Sequence, residues 1–111
     1  MPLLPTQFAA SGAGANPFVP INIAAFLVAA GYEGSIGLTE LTVQNGSAVA
    51  GNLSLSTDSE IDDETDGFPI GDAYTIRAAG NSASDRIQAT ELYLFSDTAL
   101  KDFSIYVRAL P

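Results

Sequence analysis

The side chains best placed to do chemistry lie together: Asp58, Glu60, Asp62, Asp63, Glu64 and Asp66 put six carboxylates into nine consecutive residues. Carboxylates so close repel one another, and a hard cation with oxygen ligands would relieve that repulsion. Asp62, Glu64, Asp66 and Gly67 fall at offsets 1, 3, 5 and 6 of a calcium-binding loop. The match then breaks. Offset 12 is Ala73 where a bidentate Glu belongs, Pro69 stands at offset 8, and no helical pattern flanks the segment. An EF-hand is excluded, and two readings remain. One is a solvated loop, the usual state of a charge run; the other is an irregular calcium site on a β-loop with Asp62, Glu64 and Asp66 as ligands. Calcium is the only cofactor that the residues suggest.

Other chemistries find less support. A glycosidase needs two carboxylates in a cleft with one of them desolvated, whereas acids this crowded near a turn are solvated and mutually repulsive. The chain has no His and no Cys, which removes the Ser-His-Asp arrangement, thiolate catalysis and the usual zinc, iron and copper ligands. Gly12-Ala13-Gly14 lacks the third glycine of a dinucleotide-binding loop and precedes every expected strand. The ten aromatic residues would serve a carbohydrate platform only if exposed. Most sit at core spacing, with Tyr32 and Tyr106 the expected exceptions. The expectation is a protein that is not an enzyme, with a calcium- or carbohydrate-binding β-sandwich module as the alternative.

The elements that would position these residues are short. The chain of 111 residues is 47% hydrophobic, long enough for one core. Leu41 and Val43 share one face of a strand from Leu38 to Gln44, followed by the turn dipeptide Asn45-Gly46. Leu53 and Leu55 alternate with Ser54 and Ser56; Tyr74, Ile76 and Ala78 share a face; Phe103, Ile105, Val107 and Ala109 face away from Ser104, Tyr106 and Arg108. A longer strand is expected over Arg86 to Phe95. Ile21, Ile23, Ala25 and Leu27 alternate with an equally apolar opposite face, which suggests a central strand, although i, i+3, i+4 spacing also leaves a short helix open. Such strands with Gly, Asn and Asp turns indicate an all-β chain, an antiparallel β-sandwich or small jelly roll.

Residues 1–18 differ from the domain at 19–111. Pro2, Pro5 and Pro17 remove backbone donors, and residues 11–15 are Ser, Gly and Ala only. Yet Leu3, Leu4, Phe8 and Phe18 are apolar anchors, which suggests an extended N-terminal arm laid on a partner, with a local strand as the other reading. The apolar run Val19 to Ala30 is too short to span a membrane, and no basic residue precedes it; the first is Arg77. No export signal and no membrane association are expected.

Charge completes the picture. Thirteen acids against four basic residues give a net charge of −9, which opposes nucleic acid and anionic membranes alike. Charged residues are only 15% of the chain, about 25% being usual in soluble domains. With seven acids between Asp58 and Asp72, the remaining surface is largely uncharged and suits burial against other polypeptides.

The stretch Leu38 to Leu110 resembles small β-sandwich virion proteins of tailed bacteriophages, particularly capsid decoration or cement proteins. The resemblance runs through Leu41-Thr-Val-Gln-Asn45, Gly51-Asn-Leu-Ser-Leu55, Gly67-Phe-Pro-Ile-Gly71, Tyr74-Thr-Ile76 and Glu91-Leu-Tyr-Leu-Phe-Ser96. It implies a non-enzymatic structural protein on the outer capsid surface of a virion, made in the host cytoplasm. It further implies a homo-oligomer, a trimer, that clamps neighbouring capsomers of the major capsid protein, with Leu3, Leu4, Phe8 and Phe18 as arm anchors.

Overall fold

The computed structural model describes residues 8–15, 19–32, 37–80 and 82–108, apart from the side chains at 13–15, 64 and 83. Among the described residues there are eight strands: β1 (Phe8–Ala15), β2 (Ile21–Asn22), β3 (Glu40–Asn45), β4 (Leu53–Ser56), β5 (Phe68–Ile70), β6 (Ala73–Arg77), β7 (Tyr93–Ser96) and β8 (Lys101–Arg108). They form two antiparallel four-stranded sheets, ordered β1-β8-β3-β6 and β2-β7-β4-β5. The architecture is mostly β and sandwich-like.

Strand alternation builds the core. Leu41 and Val43 of β3 face Val107 and Ile105 of β8 in register, and Leu53 and Leu55 of β4 lie across from Ser96 and Leu94 of β7. These leucines, valines and isoleucines join Phe103 and Ile70 in one buried cluster fed by both sheets. Each such side chain contributes roughly 1.5–3 kcal/mol on burial. The core spacing expected for β3, β4, β6 and β8 is present.

Between β2 and β3 the chain forms a helix, α1 (Ile23–Ala29), rather than the expected central strand. Its ends explain the outcome. Asn22 Oδ1 accepts the Ala25 N–H at 3.0 Å, a standard N-cap. At the other end Gly31 takes φ +102°. Its N–H bonds to Val28 O at 3.0 Å, and the Tyr32 N–H reaches back to Leu27 O at 2.8 Å. This paired closure of a helix C-terminus favours glycine in the left-handed position. Seven residues would not stay helical alone; Ile23, Ala24 and Leu27 bury one face while Val28 is exposed.

Two further expectations are corrected. The longer strand from Arg86 is reduced to β7. Ile87 makes only an isolated bridge to Leu38, after which Ala89–Glu91 coils into a 3-10 turn whose Thr90 carbonyl accepts from Asn22 Nδ2 at 3.0 Å. Helix α1 thus captures the backbone that a strand would have used. Tyr32, expected at the surface, is 2% exposed, with its ring 5.3 Å from that of Phe8.

Candidate functional site

Phe8, one of the four proposed arm anchors, belongs to β1. That strand pairs with β8 of the same chain, Phe8 opposite Val107 and Gly12 opposite Phe103. Gly12 is required there, because a Cβ would come within 2.9 Å of both the Phe103 and Phe26 rings. Residues 8–15 are therefore part of a sheet within the domain. Leu3, Leu4 and Phe18 lie outside the described residues.

The acidic segment connects β4 to β5 and is organised by its own side chains. Asp58 Oδ1 accepts the Glu60 N–H at 2.9 Å. Asp63 Oδ1 accepts from both the backbone N–H of Thr65 (2.9 Å) and its hydroxyl (2.8 Å), and these bonds hold its pKa below the usual carboxylate value. Ile61 turns inward and is buried. A Cβ on Gly67 would sit 2.8 Å from Ser54 Cβ and 3.0 Å from Ile61 Cδ1; the segment is thus folded down over the outer face of the β2-β7-β4-β5 sheet. That cover explains why Ser54, on the face expected to meet water, is only 1% exposed.

Of the three calcium candidates, Asp62 and Asp66 are exposed and the Glu64 side chain is outside the description. Among the described residues no group of three or more carboxylates could hold a metal ion. The recess of about 280 Å³ between this segment and the sheet is lined by Asn52, Ser54, Thr65, Gly67 and Pro69, with Leu53 and Ile70, none of them charged.

Sequence reasoning passed over Lys101. Its side chain is 1% exposed, and Nζ donates to Gly46 O and Val49 O, both at 2.6 Å, and to Asp102 Oδ1 at 3.3 Å. The ammonium thus finds three acceptors and is fully satisfied, as a buried cation must be. Asp102 in turn accepts the N–H groups of Val49 (3.0 Å) and Ala48 (3.2 Å). Burial pushes the Asp102 pKa up, but the hydrogen bonds from Val49, Ala48 and Lys101 outweigh it and hold the carboxylate below its usual value. Gly46 is needed because any Cβ would collide with the Asp102 carboxylate. Its φ is not positive, so Asn45-Gly46 opens a loop wrapped round an ammonium rather than a two-residue turn. This is architecture rather than a reactive centre.

The exposed aromatic residues also differ from expectation. Tyr106 is half-buried and donates its hydroxyl to Gln44 Oε1 at 3.3 Å. Phe68 (50% exposed) and Tyr74 (37%) are the open ones, with ring centroids 4.4 Å apart. Phe68 pairs with Leu55 on β4 and Tyr74 with Val43 on β3, so both occupy core-facing positions. They are exposed because β5 and β6 are the outer strands of the two sheets, and the sandwich gapes between them. The gap is a groove of about 210 Å³ lined by Leu55, Thr57, Phe68, Tyr74, Ile76 and Leu92.

The outer face of the β1-β8-β3-β6 sheet has a different character. Register and alternation place Ala9, Ser11, Ser104, Tyr106, Thr42, Gln44, Ala73 and Thr75 on it. Thr42 and Thr75 hydrogen-bond across strands at 2.8 Å. The charged members are Arg77, Glu40 and Arg108, one row at one end, and Asp102 at the other. Arg77 pairs with Glu40 at 3.3 Å. The middle is flat, small and uncharged.

No protein-family model matches the chain, and neither a curated protein nor a solved structure shows significant similarity to it. Among the described residues no helix is long and apolar enough to cross a membrane.

Proposed function

We propose that this chain is a non-enzymatic jelly-roll module of a virion, a capsid decoration or cement protein that associates with itself as a trimer and grips neighbouring capsomers of the major capsid protein. The observation that carries the reading is the uncharged middle of the outer face of the β1-β8-β3-β6 sheet. Its middle presents eight small or polar side chains without a formal charge, while six acids crowd the connection lying over the opposite sheet. An isolated molecule of net charge −9 has no need to keep the middle of one face free of charge. A surface that meets protein does, since unpaired charge is costly to desolvate and is depleted at the centre of interfaces.

The strand pairing supports the jelly-roll part of the reading. The partners β1–β8, β2–β7, β3–β6 and β4–β5 are those of one long antiparallel hairpin, and β3–β8 and β4–β7 arise when that hairpin is rolled up. Eight strands in two such sheets recur in viral capsid domains. The acidic connection would then point outward and keep assembled particles apart.

Light scattering on purified protein tests the proposal. The expected mass is three times the 11.5 kDa of one chain, and added protein should co-sediment with undecorated capsids from the same source and raise their dissociation temperature. Arginine at Gln44 and Ser104, on the neutral face, should abolish either association. A strictly monomeric protein that leaves capsids unbound would sink the reading.

A further inference from the structure

Asn45-Gly46 is a motif that the assembly reading leaves unused. Of the five asparagines only Asn45 precedes a glycine. In that pairing no Cβ hinders the backbone nitrogen from attacking the side-chain carboxamide before it. The attack forms a bond from Gly46 N to Asn45 Cγ and breaks the bond from Cγ to Nδ2. The amide proton of Gly46 passes through solvent to the departing Nδ2, which leaves as ammonia. Water then opens the cyclic imide at either carbonyl, giving Asp or isoaspartate at 45, with no oxidant or reductant consumed.

The fold opposes each part of this step. The attacking N–H of Gly46 is bonded to Asp102 O at 3.0 Å. The leaving Nδ2 donates to Gly51 O at 3.3 Å. Oδ1, where negative charge would develop, is buried and accepts no hydrogen bond, the reverse of the donor-lined pocket that stabilises such an oxyanion. Lys101 Nζ ties down the same loop through Gly46 O and Val49 O.

We propose that Asn45 is a deamidation site gated by the loop at 46–51, silent while the loop is closed round Lys101 and converted by water when the loop opens. The conversion runs one way. In the isoaspartyl product the main chain passes through the former side chain and is one carbon longer just where Asn45 pairs with Phe103. Gly46 then no longer meets both Asp102 O and Lys101 Nζ, so a molecule that has opened is marked and does not reclose as before. This chemistry is independent of assembly.

The full chain would be held in one mildly alkaline buffer, folded and in urea, and followed by mass spectrometry of its peptides. The readout is a gain of about one dalton at Asn45, which isomerisation at Asp66-Gly67 would not give. Conversion should be at least about a hundredfold slower in the folded protein, because only the locally open fraction reacts. That slowdown should agree within about threefold with the exchange protection of the Gly46 amide seen by NMR, since both report the same opening. Lys101→Met should speed the folded-state reaction at least about tenfold. Asp102→Asn, which loosens Ala48 and Val49 but keeps the main-chain acceptor of Gly46, should speed it less, and decides the matter if Lys101→Met does not fold. Folded protein converting as fast as the unfolded chain, a slowdown with an unprotected Gly46 amide, or no acceleration in a folded variant would each overturn the gating. Isoaspartyl chains made in urea that refold with wild-type protection of the Ala48 and Val49 amides would overturn the one-way step.

Discussion

Replacing Lys101 with Met isolates the contribution of the buried ammonium, because the stem length is kept and only the charged donor is lost. The two carbonyls it holds at 2.6 Å, Gly46 and Val49, then lose their partner, at roughly 1–3 kcal/mol each. Against this, removing the ammonium relieves its own desolvation, and both loop residues are only partly buried, so their carbonyls can turn to water. Breaking a buried charge network by deleting one member costs about 3–5 kcal/mol, and the partial rehydration places Lys101→Met near the lower limit, about 3 kcal/mol. At ~4 °C per kcal/mol for a domain of this size, Tm should fall by about 12 °C in thermal unfolding at pH 7. The urea midpoint should fall with an unchanged slope. The amides of Ala48 and Val49, bonded to Asp102, should exchange with solvent faster than in the wild type. A Tm drop below about 3 °C would refute the reasoning, since the ammonium would then not organise that end of the sandwich.

Three more outcomes follow from particular backbone and titration states. Gly31→Ala forces a side chain into φ +102° and should cost about 1 kcal/mol, read as a lower urea midpoint. Leu100 is 67% exposed at φ +60°, where Asn is far better tolerated; Leu100→Asn should stabilise by about 0.5 kcal/mol, read as a higher urea midpoint. Asp102 has a folded pKa below its ordinary value, so its contribution is present at neutral pH and is lost as pH falls below the ordinary carboxylate range and through the folded pKa. The Tm difference between wild type and Asp102→Asn should be constant from about pH 7 to 5 and shrink below that, while a difference that grew on acidification would contradict the assigned hydrogen bonds.

Strand identity and facing in β3, β4, β6 and β8 were legible from the residues, because a period of two over Leu41-Val43, Leu53-Leu55 or Phe103-Ile105-Val107 has one solution once a face must be buried. The run Ile21 to Val28 had two solutions, since an all-apolar segment satisfies both periods. Its caps, Asn22 and Gly31, carried the missing signal. Other features were decided only in three dimensions. Ser54 reads as solvent-facing and is covered by a connection that turns Ile61 inward. Tyr32 is buried because β1, from far earlier in the chain, brings Phe8 onto it. Nothing in the sequence sets Lys101 apart; its role appears only where the loop after β3 closes round it.

Composition alone determined that the surface is poor in charge and that His and Cys chemistry is absent, and residue order that the acids are concentrated in one segment. That Phe68 and Tyr74 stand exposed beside an apolar groove was set by the sheet pairing, which puts them on outer strands of different sheets only a short turn apart. Alternation fixes which way a side chain points, but exposure depends on what lies opposite. At the β5–β6 edge no strand of this chain among the described residues completes the cover.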